Sequence, residues 1–299
     1  MPKKKVFILI LVTIVVLIGA FLILSKTLDK NFAINIINDK KTMAIEADNI
    51  STVVEQKMAS SSPVLEKSAT LSAEEMNKLY GPCIKLNVLM YHHIEEEKDA
   101  KEKNQTSLNV TPDFFRKHLE YLRDKKYQII EAKDLVAFFN GTAKLSPKSV
   151  LITLDDAYDD NYKYAYPLLK EFGYKAIIFT PIGLVDNSDY LNWNQIREMK
   201  DLVYFGNHTW SHHPASNSKD VMEKEIGLAD AKLAEHGLNN VKIFAYPYGG
   251  TSVEAKNVLN SKGYSLAFTT KHGNFLCKGK SLELPRIRAG NSPLSSYGL

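Results

Sequence analysis

From about Ile84 onward, short apolar runs alternate with amphipathic stretches, and this alternation constrains the fold more than any other feature of the 299-residue chain. Leu86–Tyr91, Val150–Leu154, Ala176–Thr180, Leu202–Gly206, Val241–Ala245 and Leu266–Thr269 read as strands. Helical patterns lie between them. Thr111-Pro112-Asp113 starts one, with Thr as N-cap and Pro in the first turn, and Phe115, Leu119 and Leu122 then share one face. Tyr162–Phe172 closes on Gly173, Asn194–Lys200 is short, Lys219–Glu235 closes on Gly237, and Val253–Ser261 is the last. Strands that each feed a helix need a parallel sheet with helical crossovers. So many repeats predict a closed, irregular α/β barrel of the (β/α)7 type rather than an open sheet.

The polar residues fall where such a barrel carries chemistry. Asp155-Asp156, Asn207-His208 and Tyr246-Pro247-Tyr248 each sit just past the C-terminal end of an expected strand, and His92-His93 just past the first. That rim is where α/β barrels build their sites. Adjacent carboxylates at a strand end point to opposite faces, so one can ligate a metal while the other stays free to take a proton. The alternative is a solvated acidic turn or helix cap, which is all that Asp159 and Asp160 need be. His208 and His212, four residues apart, can reach one ion from a tight turn, or can belong to a His-rich surface loop with His213 and Pro214. Joined to a carboxylate from another strand end, they make a two-His, one-carboxylate set suited to Zn2+, with Co2+, Ni2+ or iron as alternatives. His213 is assigned a supporting place outside the ligand set. The rigid loop Phe244–Gly250 can present a backbone N–H to a developing oxyanion, or be an ordinary turn.

The N-terminus reads as an address. Val6–Leu24 is an uncharged apolar run preceded by Lys3, Lys4 and Lys5. It is long enough to span a bilayer core, and the lysines set it with the rest of the chain outside the cytoplasm. It is longer than a signal-peptide apolar region and is followed by no small-x-small cleavage site, so an uncleaved anchor over residues 1–25 is expected. Residues 26–83, with the breaker cluster Ala59-Ser60-Ser61-Ser62-Pro63, read as a stalk in which Ser72–Leu79 could be helical. The catalytic domain then covers 84–299. Lys and Arg number 38 against 34 Asp and Glu, and the three N-terminal lysines supply most of the +4 excess. No basic stripe with interleaved aromatics is present, so nucleic acid is not an expected partner. Cys83 and Cys277, the two cysteines, either pair in a disulfide or remain separate thiols. Nothing in the sequence indicates an oligomeric state.

Thr153-Leu154-Asp155-Asp156, His208-Thr209-Trp210-Ser211-His212 and Tyr246-Pro247-Tyr248-Gly249 together resemble the polysaccharide deacetylases of carbohydrate esterase family 4, with the NodB-homology domain, over about residues 84–292. Leu89-Met90-Tyr91-His92-His93-Ile94 and Leu284-Pro285-Arg286-Ile287 look like the branch that acts on poly-N-acetylglucosamine of biofilm matrix. The resemblance implies Asp155 as general base, Asp156, His208 and His212 as metal ligands, and the N–H of Tyr248 as an oxyanion donor. It implies hydrolysis of the N-acetyl group of N-acetylglucosamine residues in an extracellular polysaccharide, either poly-N-acetylglucosamine or peptidoglycan. Three departures stand out. Ala245 occupies the place of an Arg that orients the base, so the base must be held otherwise. Ala157 replaces a Gly. The L-x-H motif that often supplies the catalytic acid is missing, since His272 sits in an unrelated setting, which leaves His92 as a candidate for the acid or for a supporting role. Trp193 is a candidate wall of the sugar pocket or a core residue. Two other functions stay open: an O-acetyl esterase on a wall glycan or xylan, which needs leaving-group protonation less, and a glycan-binding surface protein with a decayed site.

Overall fold

The computed structural model describes residues 71–299. In chain order its elements are α1 (Ala73–Tyr80), β1 (Cys83–Lys85), β2 (Asn87–Tyr91), β3 (His93–Ile94), α2 (Glu97–Glu102), β4 (Asn109–Val110), α3 (Pro112–Asp124), β5 (Gln128–Ile129), α4 (Ala132–Phe139) and β6 (Ser149–Asp155). There follow α5 (Tyr166–Phe172), β7 (Ala176–Thr180), α6 (Trp193–Met199), β8 (Val203–Asn207), α7 (Lys219–Glu235), β9 (Ile243–Ala245), α8 (Val253–Ser261), β10 (Leu266–His272), β11 (Phe275–Cys277) and β12 (Leu284–Arg288).

Strands β2-β12-β10-β9-β8-β7-β6 pair side by side, and β6 pairs back onto β2, which closes a seven-stranded barrel. Every pairing in this ring is parallel. Closure removes the sheet edges, and the twist of parallel strands carries the helices to the outside. Strand β5 pairs with the first residues of β6 only, Gln128 opposite Ser149 and Ile129 opposite Val150. The pleat sorts side chains cleanly. Leu89, Tyr91, Val150, Ile152, Leu154, Ile178 and Phe205 pack outward with Phe115, Leu119 and Leu122 of α3 and Leu169 of α5. Val88, Leu151, Ile177, Phe179, Phe268 and Leu284 form a second cluster on the opposite parity, filling the barrel.

Local signals account for the helix ends. Thr111 Oγ1 accepts from the Phe114 N–H at 3.3 Å, with Pro112 opening α3, and Gly173 ends α5 in the left-handed region at φ 65°. The expected single helix from Tyr162 begins instead with a π turn over Asn161–Ala165 before α5 proper. Such turns gather at functional sites, and this one follows the Asp155-Asp156 loop.

The folded body includes residues ahead of the expected domain start at 84. Ser72 caps α1 through a reciprocal capping box with Glu75, and β1 pairs antiparallel with β11. Cys83 and Cys277 face each other in that pairing and form a disulfide, which resolves the two alternatives for these thiols. The segment 71–83, assigned to the stalk on composition, is therefore part of the folded body. The anchor over 1–25 and the remainder of the stalk lie outside the described residues. Among the described residues no helix is long and apolar enough to cross a membrane.

Candidate active site

The interior parity of β6 and β12 builds the first half of the site. Leu151, Thr153 and Asp155 alternate inward along β6, as do Leu284 and Arg286 along β12. Arg286 is wholly buried and reaches across the barrel mouth to Asp155 as a two-pronged pair, Nη1 to Oδ1 at 2.7 Å and Nη2 to Oδ2 at 2.6 Å. Two more of its donors are used: Nη1 reaches Thr153 Oγ1 at 3.1 Å and Nε the Thr269 carbonyl at 2.9 Å. Burial works against an ionised Asp155, but the guanidinium outweighs it and holds this carboxyl below its usual range. The position expected to carry an orienting Arg is Ala245, and Arg286 supplies that orientation from another strand.

Asp156 points the other way. Its backbone is left-handed at φ 74°, as is that of Ala157 at φ 58°. Two successive non-glycine residues in that region are strained, and here the turn swings the second carboxylate out of line with the first. Ala157 stands where the resemblance leads one to expect Gly, the residue this conformation favours. Asp156 Oδ1 lies 3.3 Å from His208 Nε2 and 3.0 Å from His212 Nε2.

Strand β8 and the loop after it deliver the two imidazoles. His208 Nδ1 is 2.7 Å from the Ala245 carbonyl, which makes Nδ1 the protonated nitrogen and leaves the Nε2 lone pair toward Asp156. His212 lies one tight turn later, with Thr209 at φ 66° and His212 at φ 59°. Glu225 of α7 pins that turn: its carboxylate accepts from the N–H groups of Trp210 at 3.2 Å and Ser211 at 2.9 Å, and from Ser211 Oγ at 3.0 Å. His213 turns away and its Nδ1 meets the Pro214 carbonyl at 2.7 Å.

Asp156, His208 and His212 each offer a ligand atom, and the three atoms lie within 4.8 Å of one another. Asp156 Oδ1 is buried and satisfies no hydrogen bond despite its two imidazole neighbours. Burial opposes charge at Asp156 and His208 alike. Their mutual attraction outweighs it, lowering the Asp156 carboxyl well below its usual range and raising the His208 imidazole. An orphaned carboxylate oxygen, two imidazole nitrogens and a local demand for positive charge fit a divalent cation.

Three further residues stand around this centre. Tyr248 is mostly exposed, at φ 59°, with its ring centroid 4.7 Å from that of His212. Gly249, at φ 79°, packs so closely on Thr270 that an added Cβ would lie 1.9 Å from Oγ1, which fixes the loop carrying Tyr248. His92 is buried with Nε2 3.9 Å from Asp155 Oδ2, and burial, only partly offset by Asp155 and Asp156, pushes it down to about 4. Trp193 stacks on His236 with centroids 3.6 Å apart, and His272 is exposed at the end of β10. Sequence reasoning reached Arg286 only as part of the Leu284–Ile287 motif, with no role assigned, and did not reach Glu225.

The family model described as polysaccharide deacetylase matches residues 142–267. YxkH of Bacillus subtilis (strain 168), named as a polysaccharide deacetylase, is 32% identical over 192 residues, covering 63% of this chain and 66% of that protein. The poly-beta-1,6-N-acetyl-D-glucosamine N-deacetylase of Escherichia coli (strain K12) is 24% identical over 252 residues, 69% of this chain and 36% of that one. The chain thus spans 66% and 36% of the lengths of these two curated relatives. Among solved structures, the Streptococcus pyogenes deacetylase PplD, in complex with acetate, superposes with a TM-score of 0.66 at 29% identity, covering 72% of this chain and 97% of that one. With the barrel, the paired carboxylates and the two histidines, these likenesses show that the chain belongs to the polysaccharide deacetylases of the NodB-homology type, carbohydrate esterase family 4.

Proposed function

We propose that the protein is a metal-dependent N-deacetylase that hydrolyses the acetamido group of N-acetylglucosamine residues in an extracellular polysaccharide, poly-β-1,6-N-acetylglucosamine in the first instance. The observation that carries this reading is the placement of an ionised, guanidinium-clamped Asp155 beside Asp156, His208 and His212. The substrate follows the E. coli relative, which is named for that polymer. Asp156, His208 and His212 would hold a divalent cation, most simply Zn2+, which would supply Lewis-acid polarisation of the amide carbonyl and a lowered pKa for water.

The chain's own residues do the rest. Asp155 takes the proton of the attacking water, and Arg286 keeps its two oxygens fixed and charged until that moment. The Tyr248 N–H donates to the carbonyl oxygen as it becomes an oxyanion. His92, neutral at pH 7 because burial depresses it, is the imidazole nearest the base, and we assign it to pass the proton from Asp155 to the leaving nitrogen. Tyr248, with the tilted Tyr158 and Tyr190 rings 5.5 Å apart, gives sugar rings apolar faces to rest on.

We further propose that Val6–Leu24 anchors the protein and that the barrel works outside the cytoplasm. The Cys83–Cys277 disulfide suits an oxidising compartment. The test is acetate release from poly-β-1,6-N-acetylglucosamine, peptidoglycan and acetylated xylan, with and without chelator. Metal-dependent release from the first polymer is expected. Release from xylan alone would favour the esterase reading, and release from none of them would refute the activity.

A further inference from the structure

Behind the catalytic loop lies a second cluster of ligating side chains. His93 on β3, Glu95 just after it and Asp160 at the head of the π turn are all buried, and one ligand atom from each lies within 4.8 Å of the others. They use none of the atoms of the first centre. Part of their bonding is settled: His93 Nδ1 meets Asp160 Oδ2 at 2.6 Å, Asp160 Oδ1 accepts from the Ile94 N–H and from Asn161 Nδ2, each at 2.8 Å, and Glu95 Oε2 pairs with Lys103 Nζ at 2.9 Å.

Two atoms remain over. His93 Nε2 and Glu95 Oε1 are both buried with no hydrogen-bond partner, on residues only 2% exposed. One orphaned polar atom in a native interior is costly, and two in the same three-residue cluster point to a missing common partner. Two carboxylates converge on this cluster, Asp160 against His93 and Glu95 against Lys103. His93 Nε2 and Glu95 Oε1 offer an imidazole nitrogen and a carboxylate oxygen to a small divalent transition metal, while Asp160, on Nδ1 of the same ring, orients it from behind.

We propose that His93 Nε2 and Glu95 Oε1, with Asp160 holding the imidazole from its Nδ1 side, form a second divalent-cation site, structural rather than catalytic. It ties β3 to the loop that follows Asp155-Asp156. Asp160 and Asn161 belong to that loop, Asn161 Nδ2 also donates to the His92 carbonyl at 2.9 Å, and the His93 ring stacks on Tyr158 at 3.6 Å. An ion here would fix the backbone that carries the base, one catalytic metal ligand and His92.

The test is metal stoichiometry on the full chain, dialysed against Zn2+ and measured by elemental analysis. The unaltered protein is expected to hold two equivalents. The His208→Ala/His212→Ala variant, which removes both imidazoles of the first centre, is expected to keep one and to melt several degrees higher with Zn2+ than without. Adding Glu95→Gln to that variant should abolish the remaining equivalent. Because Glu95→Gln could prevent folding, titration of the unaltered protein with Co2+ provides an independent readout: two successive sets of visible absorption bands, one of which persists in the double-histidine variant. Saturation of the unaltered protein at one equivalent, with none in the folded double-histidine variant, would overturn the proposal and leave an ordered water as the shared partner. Retention of zinc after a folded Glu95→Gln change would overturn it too.

Discussion

Arg286 and Asp155, 131 residues apart in sequence, meet at the barrel mouth through two charge-assisted hydrogen bonds of 2.7 and 2.6 Å. Both are buried, so each partner relies on the other. Removing one side should therefore do more harm than removing both. Arg286→Met is expected to destabilise the fold by ~3–5 kcal/mol, because it leaves a buried carboxylate alone. The Arg286→Met/Asp155→Asn double variant should regain most of that stability while staying inactive. Denaturant unfolding of the single and double variants gives the coupling directly, and additive effects would mean that the pair is not a unit.

His92 gives a pH signature. Its folded value is pushed down to about 4, against 6.5 when unperturbed, so between those limits the unfolded chain binds a proton that the native one does not. Its contribution to stability is complete above pH 6.5, declines as pH falls toward 4 and is level below, amounting to about 3 kcal/mol in all. The Asp155 and Asp156 carboxyls, lowered from 3.8, lose their contribution in a separate window beneath that value. In metal-free protein, His92→Gln should flatten the stability profile between pH 6.5 and 4 without changing its fall at lower pH. Unfolding free energies at half-unit pH steps measure this.

Glu225 tests whether the histidine loop needs its support. Its carboxylate holds the Trp210 and Ser211 N–H groups while touching neither imidazole. Glu225→Ala should weaken zinc binding at the first centre by ~10–100-fold. Competition with a chromogenic chelator reads this out, and an unchanged affinity would show that the loop holds its shape alone.

Gly249 tests the Tyr248 loop. At φ 79° and with Thr270 Oγ1 1.9 Å from where a Cβ would stand, Gly249→Ala must displace the loop. A loss of ~1–3 kcal/mol in stability is expected, together with a lower kcat, because Tyr248 stands beside His212. Zinc content should not change, since the ligands lie on other loops.

Long periodic elements were readable from sequence, and short or convergent ones were not. Lys219–Glu235 and Val253–Ser261 have the bounds that helical spacing and flanking caps predict, because many positions vote for each. Strands β3, β4 and β5 are two residues long and carry no period to detect. The π turn at Asn161–Ala165 hides inside an ordinary helical pattern. The strand expected over Leu266–Thr269 runs on to His272, because β10 continues through an irregular pairing with β12. At the site, Asp155, Asp156, His208 and His212 were legible because each pair is local in sequence. The Arg286 clamp was not, because nothing in the linear order couples β12 to β6, and only barrel closure brings them together.

The most direct test of the account is acetate release by Asp155→Asn, loaded with zinc, from poly-β-1,6-N-acetylglucosamine. The predicted result is zinc bound at the first centre as in the unaltered protein, with turnover reduced by ~10³-fold or more. A rate within about tenfold of the unaltered protein at equal metal content would contradict the assignment of Asp155 as the base.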